Sequence, residues 1–109
     1  YIGINGCSLK TNIEMIKHVP LEKIMLETDA PWCCIPASLK SLIQTTIPVI
    51  NRKDKYTKTS GTMVKGRNEP CTMIQVAEVV AAVKGISVNE VAEHAFKNAV
   101  TVFFRHYEN

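Results

Sequence analysis

The chain of 109 residues has no apolar run long enough to cross a bilayer. Its uncharged stretch at 42–51 contains Pro48 and polar residues, and falls well short of the roughly 20 residues a spanning helix needs. No signal-like or arginine-rich segment opens the sequence. There is no C-x-x-C pair, no zinc-finger spacing, no internal repeat and no low-complexity tract. These absences argue against a membrane-spanning helix, a zinc finger and a repeat architecture, and no membrane partner is expected. What is present is ordinary for a globular chain: 46% hydrophobic residues, 21% charged and a mean hydropathy of +0.01, against global disorder.

The length alone is that of one modest domain. The first residue is Tyr1, not methionine, and it stands directly on an apolar run. That start is read as an excised or processed piece. The net charge of +3 is unevenly distributed. Residues 51–69 hold Arg52, Lys53, Lys55, Lys58, Lys65 and Arg67 against Asp54 and Glu69, so the positive excess sits in one stretch. It is either a solvated, lysine-rich loop or a phosphate-contacting one. Cys7, Cys33, Cys34 and Cys71 show no disulfide-framework pattern. All four are read as reduced thiols of an intracellular protein, cytoplasmic or nuclear.

Residues 1–6 (YIGING) read as a buried strand and a turn. Thr11 and Glu14 have capping-box spacing, predicting a short helix that Pro20 ends. Residues 23–28 (KIMLET) carry Ile24, Met25 and Leu26 without alternation, as in a strand buried on both faces of a parallel sheet. Strand, helix and strand make a βαβ unit with parallel strands. Asp29 then falls where the second strand gives way to a loop, because Pro31 cannot continue a central strand. Functional residues of α/β folds gather on that edge, although Asp29 before Ala30 and Pro31 also fits a turn cap. Glu27 is two residues earlier and points to the same side.

Residues 33–67 form a long connection with one or two helical turns at 37–44. Pro70 suits the first turn of a helix carrying Met73, Val76, Ala77, Val80, Ala81 and Val83, which Gly85 stops. Ser87 and Glu90 form a second capping-box pattern. A 3.6-residue stripe of Val88, Val91, Ala92, Ala95, Phe96, Ala99, Val102 and Phe103 follows and is predicted to be core.

PLEKIMLETDAP at 20–31, RNEP at 67–70 and the opening YIGINGCSLKT resemble the TatD family of metal-dependent deoxyribonucleases, with Trp32-Cys33 as in its eukaryotic branch. The resemblance runs from the first strand to Phe104. It implies an α/β fold that is the C-terminal part, the last two strands and helices, of a TIM (β/α)8 barrel. Residues 1–109 would be a fragment of that single domain, and 33–67 a basic loop within it. By resemblance, Asp29 is the metal ligand or the base that orients the attacking water. The implied cofactor is a divalent metal ion (Mg, Mn or Zn) and the implied partners are DNA and the N-terminal part of the barrel. Glu27, Asn68 and Glu69 would support the site, although Asn68 also fits a helix cap beside Pro70. Arg67, Lys65, Arg52 and Lys53 would contact phosphate. Trp32 would stack on a base or lie in the core under the loop.

Family members carry a His-x-His pair, a further Glu and two more His, and this sequence has only His18, His94 and His106. Each is read as a surface or helix-end residue. The isolated chain is therefore expected to be inactive. Two rival functions remain: a barrel hydrolase of small esters or amides, and a non-catalytic nucleic-acid-binding piece that uses the basic loop. A barrel of this type takes about 250 residues. Two strands leave apolar faces that neighbours would cover, so self-association or pairing with a complementary fragment is expected.

Overall fold

Two short apolar runs, Ile2–Ile4 (β1) and Ile24–Leu26 (β2), pair in parallel with Ile2 opposite Ile24, Gly3 opposite Met25 and Ile4 opposite Leu26. The Glu27 amide donates to the Ile4 carbonyl at 3.0 Å and carries the ladder one residue further. This computed structural model describes residues 1–50 and 61–105. The connection between the strands holds two helices, Gly6–Thr11 (α1) and Ile13–His18 (α2), so the expected βαβ unit forms. Its cap differs from the expected one. Asn5, not Thr11, caps the first helix, and Asn12 stands at the start of α2 without a side-chain cap bond. A short polar side chain directly after the strand satisfies the first amides, so the helix begins six residues earlier than the Thr11 pattern predicts.

Beyond β2 the chain makes a 3-10 segment at Ala37–Leu42, close to the expected helical turns. Two strands that the sequence does not announce, Val49–Ile50 (β3) and Met63–Val64 (β4), also pair in parallel. At two residues each they are too short for any periodic signal. A 3-10 turn at Pro70–Thr72 leads into Met73–Lys84 (α3). Gly85 ends that helix in the left-handed region at φ 66°, where a side chain would be strained, and Val88–Phe103 (α4) follows. Ser87 caps α4 by accepting from the Glu90 amide.

The core lies between the sheet and the helices. Ile4, Leu9, Ile16, Ile24, Val76, Val79, Val80 and Val91 are buried together. Each buried valine contributes about 1.5–3 kcal/mol relative to exposure. The α3 stripe is core as expected, except that Met73 stays exposed. The α4 stripe is not: Val91 is buried, whereas Phe96 and Phe103 are 72% and 67% exposed. Only one side of α4 meets α3 and β2, so the rest of its wide apolar band has no cover within the described residues.

Polar side chains tie these elements through backbone groups. Lys84 Nζ donates to the carbonyls of Ile16, Lys17 and Val19 and closes the end of α2. Asn98 Nδ2 donates to the Leu21 and Ile24 carbonyls at the entry to β2. Glu78, a buried carboxylate on α3, accepts from the amides of Gln44 and Thr45 and from the Thr45 hydroxyl. A charge on a core helix is thereby explained by its bonds to the loop above it.

The loop after β2 lies directly against the start of α1. A Cβ on Gly6 would collide with the Cys33 carbonyl and would meet the Cys34 carbonyl oxygen at 2.6 Å, so only glycine permits this approach. The same approach joins Cys7 and Cys33 in a disulfide, 26 residues apart in sequence with Cα atoms 5.1 Å apart. This corrects the reading of four reduced thiols. Local spacing carries no trace of a pair that tertiary folding brings together. Cys34 and Cys71 are free and exposed.

Asn68 holds the other side of this loop. Its Nδ2 donates to the Thr28 and Trp32 carbonyls at 2.9 and 2.8 Å, and its amide donates to the Pro31 carbonyl. Gly6→Ala in the complete natural protein is expected to cost about 1–3 kcal/mol, because backbone rather than a flexible side chain must yield; the midpoint of urea unfolding measures it. Asn68→Ala is expected to cost about 1–3 kcal/mol by leaving carbonyls without a donor. It should also speed hydrogen exchange at 28–34 while α4 stays protected.

Candidate active site at the ends of the two parallel strands

The first residue past β1 is Asn5, which is buried, in extended conformation, and the N-cap of α1. Its Oδ1 accepts from the amides of Cys7 at 2.9 Å and Ser8 at 3.1 Å. The Ser8 hydroxyl accepts in turn from the Asn5 amide, completing a capping box. With the oxygen engaged in this way, the NH2 group of the side chain faces β2. Nδ2 donates to Glu27 Oε1 at 2.8 Å and to Asp29 Oδ2 at 3.1 Å. The two carboxylates, two residues apart just past β2, meet on the Asn5 side-chain amide.

Gly3 makes room for Glu27. A Cβ at Gly3 would lie 2.7 Å from Glu27 Oε2, so the carboxylate rests across the bare backbone of the neighbouring strand. Asp29 has a positive φ of 55°. Aspartate tolerates the left-handed region better than most residues, and strain of this kind collects at functional positions. The Asp29 carbonyl accepts from the Trp32 amide at 2.8 Å, which closes the turn. The carboxylate takes no part in that turn. One oxygen is held by Asn5, and Oδ1 has no hydrogen bond among the described residues.

The other candidates differ in their surroundings. Asn68 is a tether and a cap at once: beyond its bonds to the loop, its Oδ1 accepts from the Glu69 amide and the Thr72 hydroxyl. Glu69 is half-buried and its Oε2 is enclosed without a hydrogen-bond partner among the described residues. Trp32 is 74% exposed, so it does not lie in the core under the loop. Lys65 and Arg67 are exposed beside Asn68 and make no ion pair among the described residues. Arg52, Lys53, Lys55 and Lys58 lie outside the described residues, as does His106. His18 is exposed at the end of α2. His94 lies on α4, its Nδ1 2.9 Å from the Glu90 carbonyl.

Asn5 is the residue that sequence reading misses. The NG pair invites a turn assignment, which hides a second signal: an asparagine just past an apolar strand, with serine three residues on. Chemically, the site offers two exposed carboxylates at the strand ends, each with one oxygen that has no hydrogen bond among the described residues. Such an oxygen accepts a proton from water or ligates a hard divalent cation. The donor chemistry suits a metal as one contributing ligand. Among the described residues no group of three or more His, Cys, Asp and Glu gathers to complete such a site.

A family model described as TatD related DNase matches residues 1–104. Deoxyribonuclease Tat-D of Schizosaccharomyces pombe is 45% identical over 106 residues, covering 94% of this chain and 34% of that protein. Deoxyribonuclease Tat-D of Saccharomyces cerevisiae is 38% identical over 120 residues, covering 94% and 29%. Among solved structures, an uncharacterized amidohydrolase from Saccharomyces cerevisiae superposes with a TM-score of 0.77 at 34% identity, covering 94% of this chain and 33% of that one. A hydrolase TatD family protein from Entamoeba histolytica gives 0.78 at 29% identity, covering 94% and 35%. The chain thus spans about a third of the length of the curated relatives it matches. The RNEP and ETDAP motifs and the βαβ unit that presents Asp29 accord with these matches over nearly the whole chain: it belongs to the TatD-related DNase family.

Proposed function

We propose that the chain forms the last two strands and flanking helices of a (β/α)8 barrel, in a protein that hydrolyses DNA phosphodiester bonds with a divalent metal. The observation that carries this reading is the Asp29 carboxylate, set on the sheet edge with Oδ2 held by Asn5 and Oδ1 without a hydrogen bond among the described residues. Relatives named deoxyribonucleases support the substrate class. A bound divalent metal would supply Lewis acidity toward the phosphate and activate a water. Asp29 would hold that metal or accept the proton of the attacking water at Oδ1. The remaining ligands would come from outside this chain, which has no His-x-His pair, so the chain by itself is proposed to be inactive. Glu27, beside Asp29 on the same amide, would keep the local charge negative and orient the edge.

Phosphate would be met by Lys65 and Arg67, exposed on the segment that Asn68 ties to the loop, and by Arg52 and Lys53. Trp32, largely exposed on the same loop, offers a face on which a base can stack. The same features favour a second reading, in which this region binds nucleic acid without cleaving it. Assays of the complete protein on single-stranded DNA separate the two. Asp29→Asn is expected to lower kcat by about 10²–10⁴-fold with DNA binding retained. Cleavage that survives this change would overturn the catalytic reading. Lys65→Ala with Arg67→Ala is expected to weaken binding and reduce the slope of log K against log salt by about 1 per lost contact.

A further inference from the structure

We infer that Asn5 is a positioning residue for the reaction, orienting the Asp29 and Glu27 carboxylates through an amide whose direction α1 dictates. This rests on the reading of Asp29 proposed above. An asparagine side chain has one acceptor oxygen and two N–H donors. The first-turn amides of α1 claim the oxygen, at Cys7 and Ser8. A flipped side chain would set N–H groups against those amides and its oxygen against two carboxylates, so the flip is excluded. The donors therefore face Glu27 Oε1 and Asp29 Oδ2.

Three consequences follow for the chemistry. Asp29 is left with one rotationally fixed oxygen, Oδ1, for the reacting centre. Two like charges are held close together with a donor between them, which offsets their repulsion. The positive φ of Asp29 and the bare backbone of Gly3 become intelligible, since both bring the carboxylates within reach of a single amide. A residue that only capped α1 would need none of this, and serine or aspartate would serve as well.

The test separates capping from positioning in the complete natural protein. Asn5→Ser keeps a cap acceptor and removes the Nδ2 donor. It is expected to fold, with kcat on single-stranded DNA down about 10–100-fold and KM little changed. Ser8→Ala removes the hydroxyl's two 3.4 Å bonds, to the Asn5 backbone amide and to Asn5 Oδ1, but keeps the Cys7 and Ser8 amides on Oδ1 and the Nδ2 donor in place, so Tm should fall while kcat stays within about twofold. If Ser8→Ala lowers kcat as much as Asn5→Ser does, or if Asn5→Ser keeps full kcat, the positioning role is overturned. Asp29→Asn, run alongside, isolates the underlying reading: if it stays active, that reading fails whatever Asn5 does. A second readout needs no turnover. In metal-free protein, the 15N–1H signals of the Asn5 side chain should include one proton that moves in Glu27→Gln and another that moves in Asp29→Asn. Signals indifferent to both changes would overturn the proposal.

Discussion

One side-chain amide, that of Asn5, connects the secondary structure of this chain to its chemistry. Its oxygen starts α1 and its nitrogen gathers Glu27 and Asp29 from the neighbouring strand. Neither role is separable from the parallel pairing of β1 and β2. The Glu27 amide bonds to the Ile4 carbonyl, so the register that aligns Ile4 with Leu26 also sets Asn5 beside Glu27. A one-residue slip would turn both carboxylates to the helix side, into the packing of Ile4 and Ile24.

The turn after Asp29 is fixed from two directions by different means. On one side Gly6 admits the loop backbone and the Cys7–Cys33 disulfide closes the contact. On the other, Asn68 spans Thr28, Trp32 and the start of the 3-10 turn. Both anchors act mainly on backbone groups, which leaves the side chains of Trp32, Arg67 and Lys65 exposed. Farther away, Lys84, Asn98 and Glu78 do the same for the helices. Each pairs a buried or end-of-helix backbone group that packing alone would leave without a partner. Apolar burial at Val79, Val80 and Val91 then supplies stability without setting direction.

Where periodicity or a single residue decides, the sequence was legible. The parallel strands, α3, the Gly85 stop and the Ser87 cap follow from local pattern. The family is legible in ETDAP and RNEP, whose residues cluster around one loop. What escaped reading depends on contacts distant in sequence. The Cys7–Cys33 bond, the glycine beneath it and the sharing of Asn5 between Glu27 and Asp29 exist only once residues about two dozen apart are neighbours. The α4 stripe was over-read for a related reason. Periodicity reports which face is apolar, while cover depends on what packs there, and Phe96 and Phe103 find none among the described residues.

The central claim is that Asn5 holds one Asp29 oxygen so that the other faces the reacting centre. Anomalous scattering from crystals of the complete protein soaked in manganese tests it directly. The account predicts a manganese ion reached by Asp29 Oδ1, directly or through one water, with Oδ2 still accepting from Asn5. A manganese ion bound away from the ends of β1 and β2, or an Asp29 carboxylate released from Asn5 when the metal binds, would contradict it.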